Sequence, residues 1–322
     1  MNPVYIPLLL GPTASGKSAV AMELARRRSV PILCADSMKI YRGLDVGVAK
    51  PTLVERAGLT YHLIDWKEPW ESASVAEWLR TAEAIIRKAS ENVSEGPMPL
   101  VMEGGTALYL QSLYYGIFDG PGRDEALRKR LENEAAEHGL DKLYARLQEL
   151  DPAAAKKILP NDIRRIVRAL EVMELSGEPI SKQQVQWSQP REDLNIRGVG
   201  IMSDRKVLYD KIDKRVDAML AAGWLEECRG LLKLEKPLSR EASQALGYRT
   251  LFKVLSGEME LSAARERICF DTHHFARRQL MWFRRFKQVK WIDSKPGDTI
   301  KGLADQVEAL WAGEWEQKTE TP

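Results

Sequence analysis

The octapeptide Gly11-Pro12-Thr13-Ala14-Ser15-Gly16-Lys17-Ser18 meets the pattern G-x-x-x-x-G-K-[ST] at every fixed position, and its setting decides the fold. Upstream, Val4 to Leu10 is an uncharged run of the length expected for a buried parallel strand. Downstream, Lys17 to Arg28 carries Val20 and Leu24 at helical spacing. Strand, glycine loop and helix in that order aim loop amides and the positive end of a helix dipole at one point, which suits a phosphate. Lys17 adds a full charge, and the Ser18 hydroxyl stands where such loops hold Mg²⁺. The competing reading is a plain glycine turn with a surface lysine, and the strand-to-helix context weighs against it. The pattern implies an enzyme that handles a diphosphate, without naming the reaction.

Outward from the loop, short apolar runs alternate with helical patterns. Val30 to Ala35 reads as a second strand that delivers Asp36 and Ser37 at its C-terminal end, the edge where open parallel sheets bind ligands. Tyr61 to Asp65 reads as a third. Ser74 and Glu77 have capping-box spacing and open a helix to about Lys88. Pro99 to Glu103 is a further strand, ending in Gly104-Gly105-Thr106 before a helix through Tyr115. From Gly120 the strand signal stops until Ile196 to Met202, and helical periodicity fills the interval, with starts at Asp151-Pro152 and Asn161 and a stop at Gly177 and Pro179. Arg205 to Ala222 is an amphipathic helix carrying Arg215 and closed by Gly223. Leu261 to about Phe286 is the last long helix, and Val289 to Ile292 a final strand. The expected architecture is α/β, a P-loop NTPase-like parallel sheet flanked by helices over residues 1–120 and 197–316, with a helical insertion domain over residues 121–196.

A chain of 322 residues with 44% apolar and 29% charged side chains has the composition of a soluble globular protein. Cys34, Cys228 and Cys269 are far apart and lack C-x-x-C spacing, so neither a disulfide framework nor a zinc site is supported and a cytoplasmic location is expected. The N-terminal apolar run is short for a signal peptide and has no basic leader. No uncharged stretch approaches the ~18 residues of a membrane span, so no membrane contact is expected.

The net charge of +2 hides basic patches. His273 to Lys290 holds six cations, among them Arg277, Arg278 and Arg284, interleaved with Phe275, Trp282, Phe283 and Phe286, and no acid. That mixture suits a nucleic-acid groove, where phosphates meet cations and bases stack on flat side chains; a solvated basic face over an aromatic core is the alternative. In the helix from Asn161, Ile163, Ile166, Val167 and Leu170 make an apolar stripe, and Arg164, Arg165 and Arg168 share another face. A third cluster is Arg123, Arg128, Lys129 and Arg130. Asp36 is the candidate general base, with a turn cap or a Mg²⁺-water contact as alternatives. His273-His274 has no third partner at metal-ligand spacing and reads as structural or RNA-facing. On these residues alone the reaction stays open among a group transfer, a small-molecule or nucleoside kinase, and a nucleotide-switched RNA-binding protein; the last would lack the guanine-specific N-K-x-D pattern.

Seven segments in order resemble the tRNA dimethylallyltransferase family, also called tRNA isopentenyltransferases. They are the loop at Gly11, A-D-S-M-K-I-Y-R-G-L-D-V-G-V-A-K-P from Ala35, Y-H-L-I-D at Tyr61, G-G-T-A-L-Y-L at Gly104, N-D-I-R-R-I-V-R-A-L-E-V at Asn161, Q-A-L-G-Y-R at Gln244 and A-R-R-Q-L-M-W-F-R at Ala276. The resemblance implies transfer of a dimethylallyl group from dimethylallyl diphosphate to N6 of the adenosine just 3′ of a tRNA anticodon, with magnesium required. It implies diphosphate binding by Gly11 to Ser18, a metal at Ser18, and catalytic roles for Asp36, Thr106 and Arg215. The tRNA contacts it implies are Asp36, Ser37, Met38 and Lys39; Arg128, Asn161, Asp162, Ile163, Arg164 and Arg165; Gln244, Gly247, Tyr248 and Arg249; and Arg277, Arg278, Gln279, Trp282 and Arg284. A monomer of the shorter, bacterial type, without a C-terminal zinc module, is expected. The sequence departs from the family pattern at Lys39, where glutamine is usual, at Val48 and Met281 for threonine, at Glu103 for an apolar residue, and at His273-His274 for Arg-Gln.

Overall fold

The computed structural model describes residues 3–91, 99–117, 120–183 and 190–313. These fall into two compact units, the described residues of Met1–Tyr114 with Glu192–Glu320, and those of Tyr115–Arg191. In the first, β1 (Val4–Leu10), β2 (Ile32–Ala35), β3 (Tyr61–His62), β4 (Val101–Gly104), β5 (Leu194–Met202) and β6 (Lys290–Asp293) form one sheet in the order β3-β2-β4-β1-β5-β6. Every neighbouring pair is parallel, and Leu10 at the end of β1 lies opposite Gly104 on one side and Gly200 on the other. The glycine loop therefore leaves from the middle of the sheet, at its C-terminal edge.

The sheet is buried on both faces, as a parallel sheet must be. On one face Leu9, Val199 and Ile201 pack with Val20 and Leu24 of α1 (Lys17–Arg28) and with Val307 and Trp311 of α13 (Ile300–Ala312). Each such fully buried apolar side chain contributes roughly 1.5–3 kcal/mol. Near β2, Trp78 of α2 (Val75–Glu91) stacks on Tyr109 of α3 (Ala107–Tyr115) at 4.3 Å and donates Nε1 to the Cys34 carbonyl at 3.2 Å. A separate cluster joins Ile40, Tyr41 and Leu44 to Ile212 of α9 (Arg205–Ala221), Trp224 of α10 (Trp224–Leu232), Tyr248 of α11 (Tyr248–Leu255) and Ile268 of α12 (Leu261–Phe283).

Differences from the expected elements have local causes. β3 stops after two residues because Leu63 and Asp65 take left-handed φ values of 59° and 50°. That turn lets Asp65 accept from Lys50 Nζ at 2.7 Å and Arg56 Nη1 at 2.8 Å. At the start of α2 the Glu77 amide donates to Ser74 Oγ at 3.1 Å, but the Glu77 carboxylate accepts from Lys67 Nζ at 2.6 Å, so half of the capping box forms. β5 begins at Leu194, two residues before the expected strand, since Leu194 and Asn195 still pair with Val4 and Tyr5. The helical unit accordingly spans Tyr115–Arg191, where 121–196 was expected, and the expected limit at residue 316 lies outside the described residues.

The helical unit contains α4 (Glu125–His138), α5 (Leu140–Leu150), α6 (Pro152–Ala155), α7 (Ile163–Ser176) and α8 (Ile180–Gln183). Its core gathers Leu131, Leu143, Leu147, Ile166, Val167 and Leu170. Asp124, Asp151 and Asp162 cap α4, α6 and α7, accepting from Leu127, Ala154 and Arg165 amides at 2.9, 2.9 and 3.2 Å. Glu171, with no exposed surface, accepts from Arg128 Nε and Nη2 at 2.8 Å each, from Arg168 Nη1 at 2.6 Å and from the Asp124 amide at 2.9 Å. Burial would raise the Glu171 carboxyl, but the Arg128 and Arg168 bonds hold it below the usual range. All three cysteines are buried and unpaired. No helix among the described residues is long and apolar enough to cross a membrane.

Candidate active site

The edge where β1, β2 and β4 end opens into a cavity of about 1050 Å³ lined by Lys17, Ser18, Asp36, Lys39, Thr106 and Arg215. Two glycines make this convergence possible. Gly16 caps α1 with φ 88°, a left-handed conformation costly for other residues. Gly104 lies so close to β2 that a Cβ there would stand 2.2 Å from the Ala35 carbonyl oxygen. Asp36 and Gly105-Thr106 are thereby brought side by side.

Hydrogen bonds then fix each group. Asp36 Oδ1 accepts from the amides of Met38 at 2.9 Å and Lys39 at 3.3 Å, leaving Oδ2 without a partner among the described residues. Thr106 Oγ1 accepts from the Ser37 amide at 2.9 Å and donates to Ser37 Oγ at 3.2 Å. Thr106 thus positions the turn that carries Asp36 and also lines the cavity. Gln279 of α12 ties the loops together, accepting from the Thr13 amide at 2.8 Å and donating Nε2 to the Gly105 carbonyl at 2.8 Å.

Within the glycine loop, Thr13, Ala14, Gly16, Lys17 and Ser18 face the cavity. Gly11, Pro12 and Ser15 are buried or nearly so, and the Pro12 carbonyl accepts from the Ser15 amide at 3.2 Å and Lys17 Nζ at 3.5 Å. Burial, only partly offset by Glu103, brings the Lys17 ammonium down to about 8. Arg215 reaches in from α9, donating to Thr13 Oγ1 at 3.4 Å; burial lowers it despite Asp36 and Glu103.

Lys39 and Glu103 form an ion pair at 3.0 Å with side-chain exposures of 5% and 0%. Lys39 Nζ also donates to Ser18 Oγ at 2.9 Å, and Ser18 Oγ donates to Glu103 Oε2 at 3.1 Å. Burial works against both charges, yet the pairing holds Glu103 below and Lys39 above their usual values. This arrangement tests the expected metal at Ser18, and the residues do not fit it. Lys39 Nζ stands 2.9 Å from Ser18 Oγ, in the place that a divalent ion held by that oxygen would take. No group of three or more His, Cys, Asp or Glu suited to a metal occurs among the described residues.

The expected RNA contacts differ in where the structure places their side chains. Lys39 is buried against Ser18, and Gln279, 6% exposed, is the clasp between loops. Tyr248 has no exposed surface and donates to Glu227 Oε1 at 2.6 Å, and a Cβ on Gly247 would meet the Trp224 ring at 2.3 Å. In the helical unit Arg128 is committed to Glu171 and the Asp162 carboxylate to its cap. By contrast Arg249, Arg277, Arg278 and Arg284 are exposed in the first unit, and Asn161, Ile163, Arg164 and Arg165 in the second. Ser37, Met38 and Gln244 line the cavity, and Trp282 is half-buried with Arg285 over its ring at 4.6 Å. His273 stacks on Tyr209 at 4.0 Å, and His274 lines the cavity.

Two supporting residues were not named as site residues: Glu227, which carries no motif, and Lys50, which lies at the end of the segment from Ala35 to Pro51. Glu227 of α10 accepts the amides of Asp45, Val46 and Gly47 at 2.9, 2.7 and 3.2 Å, and Lys50 Nζ donates to the Tyr41 carbonyl and Asp45 at 2.6 Å each. Together they pin the loop after β2 that forms one wall of the cavity. The sequence signals were the glycine-rich, polar character of that loop and its place in the segment from Ala35 to Pro51.

A family model described as IPP transferase matches residues 39–286. The tRNA dimethylallyltransferase of Symbiobacterium thermophilum is 42% identical over 311 residues, covering 96% of this chain and 95% of the relative. That of Pelotomaculum thermopropionicum is 40% identical over 304 residues, covering 94% and 95%. Among solved structures, the tRNA isopentenylpyrophosphate transferase of Bacillus halodurans superposes with a TM-score of 0.66 at 32% identity, covering 97% of each chain.

Proposed function

The chain belongs to the IPP transferase family, and on that premise we propose that it moves a dimethylallyl group from dimethylallyl diphosphate to N6 of the adenosine next 3′ to a tRNA anticodon. The observation that carries the reading is one cavity that holds Lys17 and Arg215 beside the Asp36 carboxylate and is also lined by the exposed Arg249 and Arg278. Cations at one end suit a departing diphosphate, and a carboxylate with a free oxygen suits a proton leaving nitrogen.

An exocyclic aryl amine is a weak nucleophile, so two groups of the chain must act as its bond to carbon forms. Lys17, Arg215 and the amides that open α1 take up charge on the pyrophosphate as the C–O bond breaks, the site where preorganised donors lower a barrier most. Asp36 Oδ2 takes the N6 proton as the new C–N bond forms. Thr106 and the Met38 and Lys39 amides hold that carboxylate in place, and Gln279 keeps the loops at a fixed spacing. The adenine must first leave its stack, at a cost of a few kcal/mol that contacts to the exposed arginines offset. A monomer acting in the cytoplasm is part of this reading.

Incubation with labelled dimethylallyl diphosphate and unmodified tRNA, followed by nucleoside analysis, tests it. The expected product is N6-dimethylallyladenosine. Label that stays in the diphosphate, together with ATP turnover on nucleosides, would replace this reading with a kinase.

A further inference from the structure

Lys39 shares the cavity with Lys17 and Arg215, and the reaction as described gives its side chain no task. An ammonium has three protons to donate. Two go to Ser18 Oγ and Glu103 Oε1, at 2.9 and 3.0 Å, and the third has no acceptor among the described residues. The group cannot swing away, because Glu103 is wholly buried behind it and is itself held by the Ser18 hydroxyl at 3.1 Å. Ser18 therefore presents its proton to the carboxylate and its lone pair to the lysine. A charged donor with one free proton, fixed at the mouth of a phosphate loop, is a binding group for a phosphoryl oxygen.

We propose that Lys39 is a built-in cation of the diphosphate site, standing on the Ser18 hydroxyl where a divalent ion would otherwise bind, so that this chain holds diphosphate without a metal at the loop. The inference rests on the diphosphate reading given above. Lys39 and Glu103 are also two of the positions where the sequence departs from its family pattern, and their contact makes them one compensated change: the lysine brings the charge and the glutamate keeps it charged and aimed. The remaining partners of a leaving pyrophosphate, Lys17, Arg215 and the helix amides, keep their places, with Glu103 raising and Lys39 lowering the Lys17 ammonium.

Calorimetric titration with inorganic pyrophosphate, in EDTA and again in excess Mg²⁺, tests this on the wild type and on the double variant Lys39→Gln/Glu103→Gln. That variant keeps hydrogen-bonding groups of similar shape and leaves no lone buried charge. The wild type is expected to bind pyrophosphate in EDTA, and the variant to bind about tenfold more weakly there, the effect of losing one charge-assisted bond. Wild-type binding that appears only with Mg²⁺, or a folded variant that matches the wild type in EDTA, overturns the proposal. Should the variant not fold, the wild-type titration in EDTA decides alone. No pyrophosphate binding under either condition would remove the diphosphate reading itself, and this proposal with it.

Discussion

Glu103 at the end of β4 and Glu171 in α7 are both carboxylates with no exposed surface and cationic partners, but their surroundings are closed to different degrees. Glu171 receives four hydrogen bonds, three from two guanidinium groups and one from a backbone amide, all inside one helical unit. Glu103 receives one from Lys39 and one from Ser18, and both donors line a cavity. A saturated carboxylate with arginines locks helices together. An unsaturated cluster whose cation keeps a proton in reserve is prepared for something that arrives later. The contrast separates a structural ion pair from a working one without appeal to family resemblance.

The sharpest way to break the contrast is at the reactive end. Asp36→Asn keeps the acceptor for the Met38 and Lys39 amides but cannot take a proton, so prenyl transfer should fall by about 10³-fold while pyrophosphate affinity stays within about tenfold. Transfer near the wild-type rate would remove Asp36 as the base. At the structural end, Glu171→Ala strands Arg128 and Arg168 and should cost about 3 kcal/mol in chemical denaturation. An equal loss of pyrophosphate affinity in that variant would show that the helical unit is not the passive partner supposed here.

A smaller effect comes from pH. Lys17 lies at about 8 in the folded chain against its ordinary 10.5, so the unfolded chain binds the extra proton between these values and this group's contribution to stability rises with pH across that window. Ligand binding runs the other way, since the charged form is lost above 8, and pyrophosphate affinity should drop about tenfold between pH 7 and 9. A flat affinity profile would mean that Lys17 is not a phosphate contact. Smallest is the RNA face: Arg277→Ala with Arg278→Ala should weaken tRNA binding and lower the slope of log affinity against log salt by about 2. An unchanged slope assigns those arginines to a solvated surface.

The sheet, the loop and the helical interval were legible because each rests on a local signal. An uncharged run before G-x-x-x-x-G-K-S can be little else, and Lys17–Arg28 forms the helix its spacing predicts. Asp36 was legible for the same reason, as the first residue past a short apolar strand. What stayed hidden depends on contacts distant in sequence. Gln279 bonds a loop 266 residues away, so its segment at Ala276 pointed to an RNA contact and not to a clasp between loops, and Glu227 holds amides some 180 residues away and sits in no motif. Basic residues misled where a partner acid lay out of sight. Arg128 looks like a free cation until Glu171 folds against it, and Lys39 like a surface lysine until Glu103 is beneath it.

Arg277, Arg278 and Gln279 are neighbours on α12, two facing solvent and the third grasping the loop that cradles the leaving group. One stiff rod thus carries the handle and the latch. Moving it by about 1 Å would stretch both 2.8 Å bonds of the glutamine beyond useful length. A load placed on the outer arginines would therefore be felt at the amides of the glycine loop, through the rigidity of a single helix.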